Sequence, residues 1–340
     1  MRVILDGMGG DNAPVEMVKG AVEASKLVDD QICIVGKEDL INAELAKYEY
    51  DQEKITVIHA EEVIENEDAP VKAVRTKKDS SMVKGINMVK SGEGDLFVSA
   101  GNTGALLAGG LFILGRIQGI DRPALASIYP IMGGKEPSLL LDAGANSECK
   151  PDNLLEFGIM GSIYMEKVLG RVNPRVGLVN LGVEENKGST LTKASYELLE
   201  KSHVNFIGNV EAREVPKGAC DVIVCDGFVG NVILKLTEGL AWNILKLLKQ
   251  KFTDGAKAML GAMFLKGKMR ELKDEFDYSE YGGAPILGVK GPIIKMHGSS
   301  NAKAVKNTIL KAIPYAKENV VEIIQNSVLD IEEIIISEQE

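Results

Sequence analysis

The chain has little of what most catalytic apparatus is made from. Its 340 residues include three histidines, four cysteines and one tryptophan, and aromatics reach only 5%. His59, His203 and His297 stand in no metal-ligand spacing. Cys33, Cys149, Cys220 and Cys225 form no C-x-x-C pair, and three lie in or beside apolar runs, so they read as reduced core thiols. There is no G-x-S-x-G elbow and no G-x-x-x-x-G-K-[ST] nucleotide cradle. A dinucleotide fingerprint fails in the first glycine loop, where Asn12 stands in place of the third glycine. An excess of positive charge is missing too: 39 basic against 49 acidic residues give −10, which argues against nucleic-acid binding. The longest uncharged apolar stretch, Thr103 to Gly115, falls short of the ~20 residues a bilayer span needs and reads as a buried helix. The opening Met1, Arg2, Val3-Ile4-Leu5-Asp6 reads as a strand and not as a signal peptide, so a cytoplasmic protein is expected.

What is present is a large apolar fraction, 45%, and 36 glycines in short clusters that follow apolar runs. Eight runs predict strands: Val3–Asp6, Ile32–Val35, Ile55–Ile58, Leu96–Ser99, Leu139–Asp142, Val176–Asn180, Val204–Ile207 and Val222–Asp226. They are near-continuously apolar, the pattern of parallel strands covered on both faces. Amphipathic helices are expected between them at Pro14–Leu27, Ser81–Val89, Pro151–Leu169 and Leu191–Lys201. A long helix is expected from Gly227 or Phe228 to about Lys251. Another is expected from Ser299 or Ser300 past Glu318, kinked at Pro314, with a charged final helix over Ile331–Ile336. The alternation predicts an α/β class with a doubly wound, mostly parallel sheet. No repeat and no Pro/Ser/Gly linker divides the chain. Residues 1–340 are therefore read as one catalytic unit of two interleaved α/β lobes.

Ligands of open parallel sheets bind beyond the carboxyl ends of the strands. Six strand ends here carry Gly with Asn, Asp or Glu: the loops starting at Asp6, Ala100, Asp142, Asn180, Gly208 and Cys225. Each alone is an ordinary turn composition; six together point to a shared polar cleft. His297, followed by Gly298-Ser299-Ser300-Asn301 at a helix start, is the one histidine suited to an anion.

Read together, DGMGGDNAP, SAGNTGALLA, GRIQGIDRPALA, LLDAGAN, FIGNVEARE, DGFVGNVILK and YGGAPILGVKGPIIKMHGSSNA resemble the PlsX family of phosphate acyltransferases, in the family's order and over essentially the whole chain. The resemblance implies a fold similar to isopropylmalate dehydrogenases and phosphotransacetylases, and a homodimer. It implies conversion of long-chain acyl-(acyl carrier protein) and inorganic phosphate to acyl phosphate and free carrier protein. The product would feed an acyl-phosphate glycerol-3-phosphate acyltransferase in phospholipid synthesis. Two other readings stay open: a phosphotransacetylase-like enzyme using short acyl-CoA, and a non-catalytic phosphate- or acyl-binding scaffold.

The chemistry suits what the sequence lacks. Hydrogen phosphate is already an anionic nucleophile and a thiolate leaves readily, so neither a Ser-His-Asp triad nor an acyl-enzyme is required. Positioning and oxyanion stabilisation remain, with no metal and no cofactor expected. Gly101, Asn102, Thr103 and Gly104 are expected to cradle phosphate, with Gly9, Gly10, Asp11 and Asn12 as second choice and His297 as an additional anion contact. Lys187 either neutralises phosphate or the oxyanion or is a solvated loop lysine. Asn209, Asp226 and Asn231 are expected to orient the thioester or the carrier's pantetheine arm, Asp226 alternatively capping the next helix. Asp142 and Asn146 are expected behind them.

From 251 to 270 the character changes. Met259, Leu260, Met263, Phe264 and Leu265 form an apolar group broken by Gly255, Gly261 and Gly267 and flanked by basic residues. Such a protruding segment fits an anionic membrane surface, an acidic carrier protein or a dimer partner. The family resemblance favours the membrane, and hence a peripherally membrane-associated protein.

Overall fold

The computed structural model describes residues 1–133, 135–275 and 282–337. The chain builds two sheets. The first carries β1 (Arg2–Asp6), β2 (Gln31–Gly36), β3 (Ile55–His59), β4 (Leu96–Ser99), β5 (Ala124–Leu125), β11 (Ala284–Leu287) and β12 (Ile293–Lys295), in the order β3-β2-β1-β4-β12-β11-β5. The second carries β6 (Ser127–Ile131), β7 (Lys135–Leu141), β8 (Arg175–Asn180), β9 (Asn205–Glu211) and β10 (Val222–Val224), in the order β6-β7-β10-β8-β9. The chain crosses from the first sheet to the second at Ala126 and returns to the first at β11. One apolar core runs through both sheets, from Val3 and Leu5 across Leu139 and Val222 to Ile294.

All eight expected strands form, and their mutual pairings are parallel. The four unexpected strands lie at the crossing between the sheets: β5, β6 and β11 pair antiparallel, and β12 joins β4 in parallel. They are short or contain proline, as in Ser127–Ile131 and Ala284–Leu287, so a strand period is hard to see. β9 extends to Glu211, so the loop expected from Gly208 is in fact strand.

The expected helices appear as α1 (Val15–Ser25), α4 (Ser81–Ser91), α6 (Pro151–Lys167), α7 (Thr190–Lys201) and α8 (Gly227–Thr253), with α2 (Glu38–Leu45) and α3 (Pro70–Thr76) in addition. The Thr103–Gly115 stretch is α5 (Thr103–Gly109) followed by a wide turn, Gly110–Leu114, closed by Gly115 N–H onto the Gly110 carbonyl at 3.0 Å. Ala105, Leu106, Ala108, Gly109, Gly110 and Leu114 are buried, but Phe112 is exposed beneath the Arg75 guanidinium. The helix from Ala302 does not run on past Glu318. α10 (Ala302–Lys317) keeps Pro314 inside its last turn and ends where Asn319 adopts φ 50°; α11 (Val320–Ser337) then begins and includes the expected tail. A left-handed Asn stops a helix more firmly than a proline near its end, where few hydrogen bonds remain to be lost.

Residues 251–270 form a helical hairpin. α8 projects with only Gly227 and Gly230 buried, turns at Asp254–Gly255, and α9 (Ala256–Glu275) packs back on it. Gly261 and Gly267 therefore sit inside a helix instead of breaking it.

Candidate active site

In the first sheet the strand order changes direction between β1 and β4, and loops after β1, β4 and β12 converge beyond that switch point. Asp6 ends β1 fully buried. It accepts a hydrogen bond from the Ser99 hydroxyl at 2.7 Å and one from Met8 N–H at 3.1 Å. Burial raises its pKa against these bonds. Gly9 passes so close that a Cβ there would lie 2.8 Å from Gly101 N, so the first two loops can touch only through a glycine. The first loop is tied to the third as well: Asp11 N–H donates to the Gly298 carbonyl at 2.8 Å, and the Asn12 amide donates to the carbonyls of Ser299 and Ser300 at 3.1 and 3.2 Å.

The second sheet contributes the ends of β7 and β10. Asp142, fully buried, gathers the loop that follows it. One carboxyl oxygen accepts from Leu125, Gly144 and Ala145 N–H, and the other from the N–H and side-chain amide of Asn146. Burial raises its pKa and these donors pull it back. The first turn of α8 rests on this loop, with a Cβ at Gly230 excluded by the Asp142 carbonyl. That contact sets Asn231 against Gly144, whose Cβ would sit 3.4 Å from the Asn231 side chain.

Where the two edges meet lies a cleft of about 420 Å³. Thr103, Lys295 and His297 line it from the first sheet, and Gly144, Asn231, Lys235 and Glu238 from the second. Lys295 is 9% exposed. Its ammonium donates to the carbonyls of Met296 and Ala100, the latter at 3.3 Å. Burial lowers its pKa to about 8, while Asp6 and Asp11 act to keep it charged. The cleft thus holds an ammonium with little water around it, where its field is strong. Lys235 and Glu238 pair at 3.0 Å on α8, on the face of Asn231. His297 Nδ1 is 2.8 Å from the Ser299 hydroxyl, and burial together with Lys235 and Lys295 holds its pKa below the ordinary value.

Of the residues expected at the site, Thr103, Asn231 and His297 line the cleft, with Asp142 and Asn146 behind Gly144. The other expected residues are placed as follows. The Asn102 side chain caps α5, accepting from Ala105 N–H at 3.0 Å, and donates to the carbonyls of Glu65, Asn66 and Asp68, so both ends of its amide are engaged within the chain. Gly104 packs against Pro70 and Gly101 N–H donates to the Ser99 hydroxyl. Gly9, Gly10, Asp11 and Asn12 join loops together and are not among the residues lining the cleft. Asp226 caps α8, accepting from Val229 N–H at 2.8 Å. Asn209 has both ends of its amide engaged, accepting from Asn180 at 3.0 Å and donating to the Glu184 carbonyl at 2.9 Å. Lys187 is exposed in that loop, outside the cleft lining. Met259, Met263, Phe264 and Leu265 are exposed on α9, while the side chain of Leu260 lies outside the described residues.

Sequence reasoning missed Lys295, Lys235 and Glu238. For Lys295 the signal is a lysine inside the apolar run Pro292-Ile293-Ile294-Lys295-Met296, a place where burial forces a role. For the other two it is the i, i+4, i+7 spacing from Asn231. Among the described residues no group of three His, Cys, Asp or Glu side chains is placed to hold a metal, and no helix is long and apolar enough to cross a membrane. Burial raises the pKa of Cys149 to about 11 and of Cys220 to about 12, and that of Cys225 well above the usual thiol value. None of the three is a ready thiolate.

A family model described as fatty acid synthesis protein matches residues 1–323. A phosphate acyltransferase of Alkaliphilus oremlandii (strain OhILAs) is 57% identical over 328 residues, 96% of this chain and 97% of its own. One of Clostridioides difficile (strain 630) is 53% identical over 322 residues, 95% of this chain and 94% of its own. A phosphotransacetylase from Streptococcus pyogenes, solved as a crystal structure, superposes with a TM-score of 0.64 over 94% of each chain at 15% identity, a likeness of fold. Identity above one half along nearly the entire length leaves one assignment: the chain belongs to the PlsX family of phosphate acyltransferases and is an acyltransferase.

Proposed function

We propose that the cleft transfers a long-chain acyl group from acyl carrier protein to inorganic phosphate. An oxygen of hydrogen phosphate attacks the thioester carbonyl, a tetrahedral oxyanion forms, and the C–S bond breaks. The products are acyl phosphate and the carrier thiol, with the proton of hydrogen phosphate passing to the departing sulfur. The observation that supports this most is that the buried Lys295 ammonium and Asn231 line the same cleft, while burial raises the pKa of all four cysteines, Cys33 included, so that none offers a ready thiolate to carry the acyl group. Lys295 holds phosphate and the Asn231 amide, a neutral donor, faces the thioester carbonyl; His297, neutral at neutral pH, adds a hydrogen bond. Purified protein given palmitoyl-(acyl carrier protein) and labelled phosphate is expected to form a hydroxylamine-sensitive labelled acyl phosphate. Absence of that product rejects the reading. Likeness in fold to a phosphotransacetylase supports a second reading, with short acyl-CoA as donor; faster turnover of acetyl-CoA than of the carrier thioester would favour it.

The assembly belongs to the same proposal. Phe228, Val232, Leu236 and Leu240 are exposed at i, i+4 spacing along α8, a stripe suited to the same face of a second copy in a homodimer. Met263 and Phe264, 72% and 85% exposed along α9 of the hairpin, suit an anionic membrane interface, so that the protein works at the cytoplasmic membrane surface. There it hands acyl phosphate to the acyltransferase acting on glycerol 3-phosphate. Cosedimentation with anionic vesicles is expected to be lost in Met263→Glu/Phe264→Glu; retained binding removes the membrane from the account.

A further inference from the structure

A second cavity adjoins the cleft. It measures about 260 Å³ and lies between α6, α10 and the crossing strands. Ile128 and Gly283 belong to the walls of both, so the two spaces are neighbours across these two residues. The lining of this second space is mostly apolar: Tyr164 of α6 and Val168 just past its end share it with Leu310 and Ala312 of α10, and the exposed Lys311 is the one charged residue among them. Tyr164 is buried edge-on against Tyr315, with ring centroids 5.6 Å apart, which fixes the cavity floor. The Thr308 hydroxyl also lines the space but donates to the Ala304 carbonyl at 2.8 Å within its own helix, so it makes little demand for water.

We infer that this cavity receives the hydrocarbon chain of the acyl substrate, with a neck at Ile128 and Gly283 separating chain from carbonyl. The inference rests on the acyl-transfer reading given above. A thioester whose carbonyl lies between Lys295 and Asn231 has to place its chain somewhere other than among Lys235, Glu238 and His297, because burying methylenes against charged groups desolvates those groups without return. An adjoining apolar space removes the chain from water at no such cost, in proportion to the area covered. Small-ligand sites have this form, mostly apolar walls with a few polar groups at the reacting end. Acyl-chain length is then read by how far the chain passes the neck toward Leu310.

Two experiments test the assignment. Ile128→Trp narrows the neck, and Leu310→Trp, at a half-buried position, fills the far end with less risk to folding. Rates are compared for palmitoyl and butyryl thioesters of the carrier protein. The expected result is a fall of at least tenfold in the palmitoyl-to-butyryl ratio of kcat/KM for Ile128→Trp, and a smaller fall for Leu310→Trp. An unchanged ratio in both variants overturns the inference. The second experiment uses wild-type protein and a palmitoyl thioester with a diazirine at the end of its chain. Crosslinks in α6 and α10 are expected; crosslinks confined to the α8–α9 hairpin overturn it. Photolabelling needs no turnover, so it decides the cavity even if no acyl phosphate is formed. Conversely, wild type that forms acyl phosphate from both thioesters while the variants keep the ratio removes the cavity and leaves the acyl-transfer reading standing.

Discussion

Two lysines sit at the carboxyl edges of the two sheets, in opposite circumstances. Lys187, in the loop after β8, is exposed, and its loop is braced by Asn180 and Asn209. Lys295 ends β12 within the core, and its pKa is lowered to about 8 by burial. A charge in water is screened by any counter-ion; a charge kept out of water is screened less, and at Lys295 the carboxylates of Asp6 and Asp11 and two backbone carbonyls offset burial only in part, which is why we propose that phosphate binds there. On this proposal a cation's surroundings, more than the polarity of its loop, decide its use in anion binding.

The largest expected effect breaks the comparison outright. Lys295→Met is expected to lower kcat/KM by at least ~100-fold, the scale of losing one preorganised donor to a developing oxyanion. Lys187→Ala is expected to lower it less than ~10-fold. Steady-state rates with the carrier thioester decide, and a larger loss at Lys187 would reverse the assignment. Next comes the brace of the second edge. Asp142→Ala leaves five described N–H donors without their acceptor and is expected to destabilise the fold by about 3 kcal/mol in urea unfolding.

The pH dependence sharpens the contrast further. If the Lys295 charge holds phosphate, kcat/KM falls as pH rises through about 8, and the fall moves to higher pH in Lys295→Arg. Stability should move the other way. With a folded pKa of about 8 against an ordinary 10.5, the unfolded chain holds the extra proton between those values, so this residue's contribution rises with pH across that window. The smallest effect is expected away from the cleft. Glu156 of α6 accepts from Asp121 and Arg122 N–H, and burial lifts its pKa to about 7. The folded chain binds its proton more tightly between the ordinary 4.5 and 7, so its contribution is lost as pH rises through that range. Glu156→Gln should therefore raise Tm slightly at pH 8 and not at pH 4.5, with activity unchanged.

The parallel strands were legible because each is a near-continuous apolar run with glycine at its carboxyl end, as at Leu5-Asp6-Gly7 and Val98-Ser99-Ala100-Gly101. The crossing strands were not, since Ala124-Leu125 and Ala284–Leu287 are too short to display a period and are defined by partners distant in sequence. The cleft was legible as a set of loops but not as a list of contacts. Asn102, Asn209 and Asp226 have the chemistry of ligands, yet their oxygens and amides close helices and loops, a competition that only the fold resolves. Lys295 escaped because a lysine at the end of a strand draws less notice than one in a polar loop, although burial is what gives it consequence.

The central claim is that phosphate itself displaces the carrier's sulfur at the Lys295 cleft. A rapid-quench single turnover with acyl-labelled carrier thioester, run with and without phosphate, tests it most directly. No label is expected on the polypeptide at any time, and thiol release only when phosphate is present. Labelled protein, or release of the carrier thiol at an undiminished rate without phosphate, would contradict it.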